Sequence, residues 1–222
     1  MTHDNNKPNI VLDLDQTIIS AEPLEEFNLS KYNDKIKSHK EKWGENSVAD
    51  MDGYYIVFSR PYLQEFLDYI FENFNVVIWT AATKDYALFI IKHLILGYDI
   101  KTQTYKYPNR KIDFIFFSYH CEWSEYERKY TKELCMIWDK HQLPGYSQSN
   151  TVIIDDYKAD VHKCQPNNCI IARAFKIKKK GSENDTFLHD LIPHLKNMQK
   201  RIQEGKSDLA STVNISMKTH SS

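Results

Sequence analysis

The chain has 222 residues, the size of one domain or one domain with decorations, and its 41% hydrophobic and 13% aromatic content excludes a disordered chain. A formal net charge of -1 gives the whole protein no electrostatic pull toward nucleic acid or anionic lipid, so only local patches could supply one. No apolar run approaches a membrane span, and four cysteines (Cys121, Cys135, Cys164, Cys169) are too few for a disulfide framework in a chain this long.

The opening "MTHDNNKP" is polar, lacks the apolar core of a signal peptide and reads as a flexible tail over residues 1–8. With reduced thiols, this predicts an intracellular protein, nuclear or cytoplasmic. A strand is expected over 9–15, where "NIVLDLD" turns from apolar to acidic. Residues 21–53 are Lys-rich and punctuated by Gly44 and Gly53, which suggests an insertion or flap containing some helix. "YYIVFS" (54–59) is a predicted strand. Pro61 is expected to open a helix whose stripe includes Leu63, Phe66, Leu67 and Ile70.

"NVVIWT" (75–80) reads as a buried strand, followed by a helix over 84–96 capped by Thr83 and ended by Gly97. "DFIFFS" (113–118) is another strand, and a helix is predicted from about Thr131 to His141. "TVIID" (151–155) and "CIIARA" (169–174) complete the strands. Asp185 is expected to cap a last helix containing Pro193, and residues 203–222 read as a disordered polar tail. Strands alternating with helices predict an α/β fold: a central, mostly parallel sheet with helices on both faces, over residues 9–202.

Such a sheet binds ligands at the carboxyl ends of its strands. Three predicted strands end in polar groups: Asp13 with Asp15, Thr80, and Asp155 with Asp156. Side chains two apart on a strand share a face, so Asp13 and Asp15 can approach one ligand. Paired carboxylates repel, and a cation relieves that repulsion. Hard oxygen donors suit Mg2+, which shares phosphates readily. A carboxylate can also attack phosphorus, provided that a lysine, a hydroxyl and a metal offset the negative charge, and Lys132 and Thr80 are available. Asp15 could then act as general acid and base. An isolated acidic pair is more often a loop cap, and it is the four features in order that favour chemistry.

At these residues "DLDQT" resembles the D-x-D-x-T signature of the haloacid dehalogenase superfamily. "SRPYLQEFL", "VVIWTAATKDYA" and "VIIDDYKADVHKCQPNNCIIARAF" resemble its branch of phosphatases for the C-terminal domain of RNA polymerase II, the NLI-interacting-factor-like family. The resemblance implies a Rossmann-like haloacid-dehalogenase fold and a Mg2+-dependent phosphoserine or phosphothreonine phosphatase. It implies Asp13 as the phosphorylated nucleophile and Asp15 as acid and base, with its carbonyl on Mg2+. Thr80, Lys132 and Arg60 would serve the phosphate, Arg60 from the rim. Asp156 would bind Mg2+, Asp155 would orient Lys132, and Thr17 would brace the Asp13 loop. Three departures concern substrate preference: Tyr62 where the family usually has glycine, Tyr157-Lys158 for Ser-Pro, and Glu133 for aspartate.

Only 51 residues, 81–131, separate Thr80 from Lys132, which leaves a small insertion rather than a large cap domain. An open site suits a phosphorylated protein segment. The competing readings are a binding module on the same fold and a small-metabolite phosphatase. Cysteine phosphatases need an arginine six residues after the thiol, and Glu127, His141, Ile170 and Phe175 stand there. P-loop and G-x-G-x-x-G motifs are absent. "HKCQPNNC" (162–169) is too sparse for zinc, and "KIKKK" (176–180) reads first as a solvated turn, the alternatives being a contact to phosphate or a nuclear signal. Tyr119, Trp123 and Tyr126 could shape a peptide groove.

Overall fold

A computed structural model describes residues 3–25, 29–121, 131–156, 165–206 and 209. In chain order these form β1 (Asn9–Leu12), β2 (Ile19–Pro23), α1 (Leu29–Trp43), β3 (Val48–Met51), β4 (Tyr55–Ser59), α2 (Leu63–Asn73) and β5 (Asn75–Trp79). Then come α3 (Lys84–Ile90), which continues as a π-helical turn over Ile91–Ile95, β6 (Tyr98–Asp99), β7 (Thr104–Tyr105), β8 (Ile112–Phe116) and the single turn α4 (Ser118–Cys121). A π-helical turn over Met136–Lys140, β9 (Thr151–Asp155), β10 (Cys169–Ile171) and α5 (Phe187–Gln203) follow.

The central sheet has the order β10-β9-β1-β5-β8, with every pair parallel. Its strands alternate between two dry faces. Ile10, Leu12, Val76, Ile78, Val152 and Ile154 face the cluster built with α2, α3 and α5. Val11, Val77, Trp79 and Ile153 face a second cluster with Leu134, Met136, Ile137 and Tyr146. Both faces are covered, so the strands read as continuous apolar runs.

Several expectations need correcting. Strand β1 stops at Leu12, so Asp13 and Asp15 lie on the loop beyond it. The tail over 1–8 is tied down from residue 3: buried Asn75 bonds the carbonyls of Asp4 and Lys7 and accepts the N–H of Asp4. The strand at 55–59 belongs to a separate antiparallel sheet, β2-β4-β3. The insertion therefore reaches from Ile19 to Ser59, because its flanking strands pair with each other. Helix α2 begins at Leu63, after Pro61. Tyr62 precedes it with φ 64°, a left-handed backbone that glycine adopts without strain. Its ring packs on Trp43 and His189, contacts glycine could not make. Helix α5 starts at Phe187 with Thr186 at the cap position, although the carboxylate of Asp185 accepts the Phe187 N–H. Of the predicted tail, Gln203 ends α5 and Leu209 is buried in the main core; residues 207–208 and 210–222 lie outside the described residues. Cys164, Trp123 and Tyr126 do too, whereas Tyr119 is exposed. Among the described residues no helix is long and apolar enough to cross a membrane.

His39 anchors α1 to the small sheet. It is 5% exposed, sits edge-on to Phe58 and has a buried Nε2 with no partner among the described residues. Burial lowers its pKa to about 4, from an ordinary 6.5. Between those values the unfolded chain binds a proton that the folded protein refuses, so stability falls as pH drops from 6.5 toward 4. The loss approaches about 3 kcal/mol. Urea titrations of His39→Leu should show an acid slope shallower by that amount, and identical slopes would remove this assignment.

Candidate active site

Register builds the site. Leu12 of β1 pairs with Ile78 of β5 and with Ile154 of β9. The next residues, Asp13, Trp79 and Asp155, therefore emerge at one edge, with Thr80 and Asp156 one step further. The Asp13 N–H continues the ladder to the carbonyl of Ile154 at 3.1 Å.

Three charged groups meet there in near-complete burial: Asp13 at 5% exposure, Lys132 at 5% and Asp155 at 1%. Lys132 Nζ donates to Asp13 Oδ1 at 2.5 Å and to Asp155 Oδ2 at 2.7 Å. Thr17 Oγ1 donates to the other Asp13 oxygen at 2.8 Å. Both oxygens of Asp13 are thus held in place. Burial pushes its carboxyl up to about 7; the Lys132 ammonium opposes that shift, and Asp155 adds to it. For Lys132, burial works against the charge, yet the two carboxylates outweigh it and raise the pKa. Asp156 is raised to about 6, by burial and then by Asp155.

Oxygens of Asp13, Asp155 and Asp156 all lie within 4.8 Å of one another. With all three ionised, the carboxylates exceed the one ammonium by two negative charges, carried on hard oxygen donors. That donor set fits a divalent cation such as Mg2+. The carboxylate of Asp15 lies outside this trio and accepts a hydrogen bond from Tyr86 Oη at 2.5 Å. Burial raises the pKa of Asp15, and the Tyr86 bond pulls it back.

Thr80 is 1% exposed, and its Oγ1 accepts the Ala82 N–H at 3.0 Å. An oxygen that accepts in this way keeps its own hydrogen to donate. Arg60 does not reach the site, contrary to the expectation of a rim position. It is fully buried, with Nε and Nη2 each 2.8 Å from the Asp185 carboxylate and Nη1 donating to the Thr17 carbonyl. Its guanidinium also lies over the Phe187 ring at 4.4 Å. Arg60 therefore braces the turn that carries Thr17, with Nε, Nη1 and Nη2 each engaged by a protein oxygen.

The expected helix from Thr131 is absent over its first turn, for a specific reason. Gln165 Nε2 donates to the Lys132 carbonyl and Gln165 Oε1 accepts the Leu134 N–H, both at 2.8 Å. This clamp takes the Lys132 carbonyl, which a helix would turn toward the Met136 N–H. It leaves Lys132 in a loop, with its amine delivered to the carboxylates.

Tyr86 and Gln165 are the residues that sequence reasoning missed. Each lies inside a quoted motif, but only tertiary placement reveals its partner. Tyr86 also meets Tyr55 of β4 edge-on at 5.7 Å, so the small sheet helps fix the hydroxyl on Asp15. Tyr86→Phe removes one charge-assisted bond, which is expected to lower kcat about tenfold with KM changed less than about twofold. Steady-state kinetics on p-nitrophenyl phosphate would measure both; an unchanged kcat would reduce Tyr86 to packing.

The family described as NLI interacting factor-like phosphatase matches residues 8–206. The CTD phosphatase-like protein 355R of Invertebrate iridescent virus 6 is 41% identical over 180 residues, covering 80% of this chain and 91% of that protein. Its namesake in Invertebrate iridescent virus 3 is 38% identical over 185 residues, covering 83% and 92%. Ubiquitin-like domain-containing CTD phosphatase 1 of Xenopus laevis is 27% identical over 217 residues, covering 88% and 64%. Among solved structures, Fcp1, an essential RNA polymerase II CTD phosphatase, is similar with a TM-score of 0.48 and 21% identity, covering 93% of this chain and 57% of that one.

Proposed function

The chain belongs to the NLI interacting factor-like phosphatase family, and on that premise we propose that it is a Mg2+-dependent phosphoprotein phosphatase acting on phosphoserine or phosphothreonine. The observation that carries this reading is the buried Asp13–Lys132–Asp155 bridge beside Asp156 at one sheet edge.

In this reading an Asp13 oxygen attacks phosphorus, and the bond from phosphorus to the seryl oxygen breaks. Asp15 gives its proton to that departing oxygen. Asp15 then takes a proton from water, whose oxygen displaces Asp13 from the aspartyl-phosphate and releases inorganic phosphate. Thr80 and Lys132 hold the phosphoryl oxygens, Thr17 fixes the attacking carboxylate, and Asp155 aims Lys132. Asp13, Asp156 and the Asp15 carbonyl would hold Mg2+, with Asp155 beside them; bound there, it supplies positive charge against which two anions can meet.

The test compares phosphoserine peptides, including repeats of the RNA polymerase II C-terminal domain, with a panel of sugar phosphates. Turnover should require Mg2+, stop with EDTA and favour peptides in kcat/KM. Faster hydrolysis of a sugar phosphate would mean a small-metabolite phosphatase. No turnover of any substrate with Mg2+ present would leave a protein-binding module on the same fold.

A further inference from the structure

Two lysine-rich stretches far apart in sequence meet on the small subdomain. Helix α1 carries Lys35, Lys37, Lys40 and Lys42, and the segment after β10 carries Lys176, Lys178, Lys179 and Lys180. An apolar cluster joins them, packing Tyr32 and Ile36 of the helix with Phe175 and Ile177. Lys42 Nζ donates to the Glu183 carbonyl at 3.2 Å, and Lys35 lies 3.9 Å from the Glu183 carboxylate.

The charge at this junction is unbalanced. Lys37 pairs with Glu41 along the helix, Lys40 with Glu45 just past its end, and Lys178 with Glu22. Lys176, Lys179 and Lys180 are exposed, and no carboxylate lies within ion-pair distance of them among the described residues. Lys35 shares the Glu183 carboxylate and Lys42 reaches only the Glu183 carbonyl, so Lys42, Lys176, Lys179 and Lys180 add positive charge here with no carboxylate at ion-pair distance among the described residues, in a chain whose formal net charge is -1. Lysines scattered over a surface need no partner; lysines converging from two elements create a local positive field.

The face also starts at the lip of the active site. The Phe175 N–H donates to the Gln16 carbonyl at 2.7 Å, and the Ile177 N–H donates to Ser20 Oγ at 3.1 Å. Gln16 directly follows Asp15. Lys180 lies five residues beyond Phe175, so its backbone is at most about 17 Å away at roughly 3.4 Å per residue.

We infer that this lysine face binds the anionic flank of a multiply phosphorylated protein substrate, engaging a second phosphate on the same segment as the one removed. The inference rests on the phosphoprotein phosphatase reading and adds a specificity surface to it. The test compares one synthetic peptide carrying a single phosphoserine with the same peptide carrying two. At low salt the doubly phosphorylated peptide should show about tenfold higher kcat/KM, and about 0.5 M NaCl should shrink that preference. The variant K176E/K179E/K180E should lose the preference while keeping its thermal midpoint, and the Lys→Gln triple variant should fall between.

An equal preference in variant and wild type overturns the inference. So does an intact preference accompanied by lost affinity for single-stranded RNA or phosphatidylserine vesicles, which would assign the face to those anions. If the wild type hydrolyses neither peptide nor p-nitrophenyl phosphate, the phosphatase reading fails separately. Fluorescence anisotropy with the doubly phosphorylated peptide then decides: tighter binding to wild type than to the triple variant upholds the lysine face, and equal binding ends it.

Discussion

Asp13→Asn should lower kcat by about four orders of magnitude or more while leaving the fold as stable as before. The substitution keeps the side-chain shape and removes the charged oxygen that would attack phosphorus. Little else should change. Lys132 retains Asp155 at 2.7 Å, and Thr17 can still hydrogen-bond an amide. Burial already pushes the Asp13 carboxyl up to about 7, so the folded protein gains little from its charge. Steady-state kinetics with Mg2+ and a thermal melt of the same sample separate the two effects. Residual turnover above about 1% of wild type would exclude Asp13 as the nucleophile. A collapsed melting temperature would mean that the carboxylate is structural.

The legible parts of the fold were those written in local pattern. The apolar runs at Asn9–Leu12, Asn75–Trp79 and Thr151–Asp155 gave strands at the expected places, because a strand buried on both faces needs nothing but apolar side chains. The polar residues that end those runs gave the edge where Asp13, Asp155 and Asp156 gather. What failed depended on partners distant in sequence. Arg60 carries the charge expected of a phosphate ligand, but Asp185, 125 residues away, takes it. The helical pattern from Thr131 is real, yet Gln165 takes the Lys132 carbonyl that its first turn would use. Tyr86 looks like an ordinary helix aromatic until Asp15 is placed beneath its hydroxyl. Charge and periodicity say what a residue could do; the partner that arrives from elsewhere decides what it does.

Lys132→Met tests that principle at the centre of the site, and it should be the most destabilising of these substitutions. The ammonium lies between two carboxylates at 2.5 and 2.7 Å, and all three side chains are at most 7% exposed. Methionine fills a similar volume but leaves Asp13 and Asp155 facing each other with no counter-charge. Breaking a buried ion pair from one side costs about 3–5 kcal/mol. For a domain of this size that lowers the melting temperature by about 10 °C. The cost should also depend on pH. The Asp13 pKa is already raised in the folded protein, and removing Lys132 raises it further. A raised folded pKa makes the native state bind the extra proton, so stability is fully present below the ordinary carboxyl value and is lost as pH rises through the folded one. In metal-free buffer Lys132→Met should therefore melt closer to wild type at pH 5 than at pH 8. Adding Asp155→Asn to it removes the facing charge and should restore much of the melting temperature without restoring turnover. A single variant as stable as wild type at pH 8 would show that the ammonium does not hold the two carboxylates together.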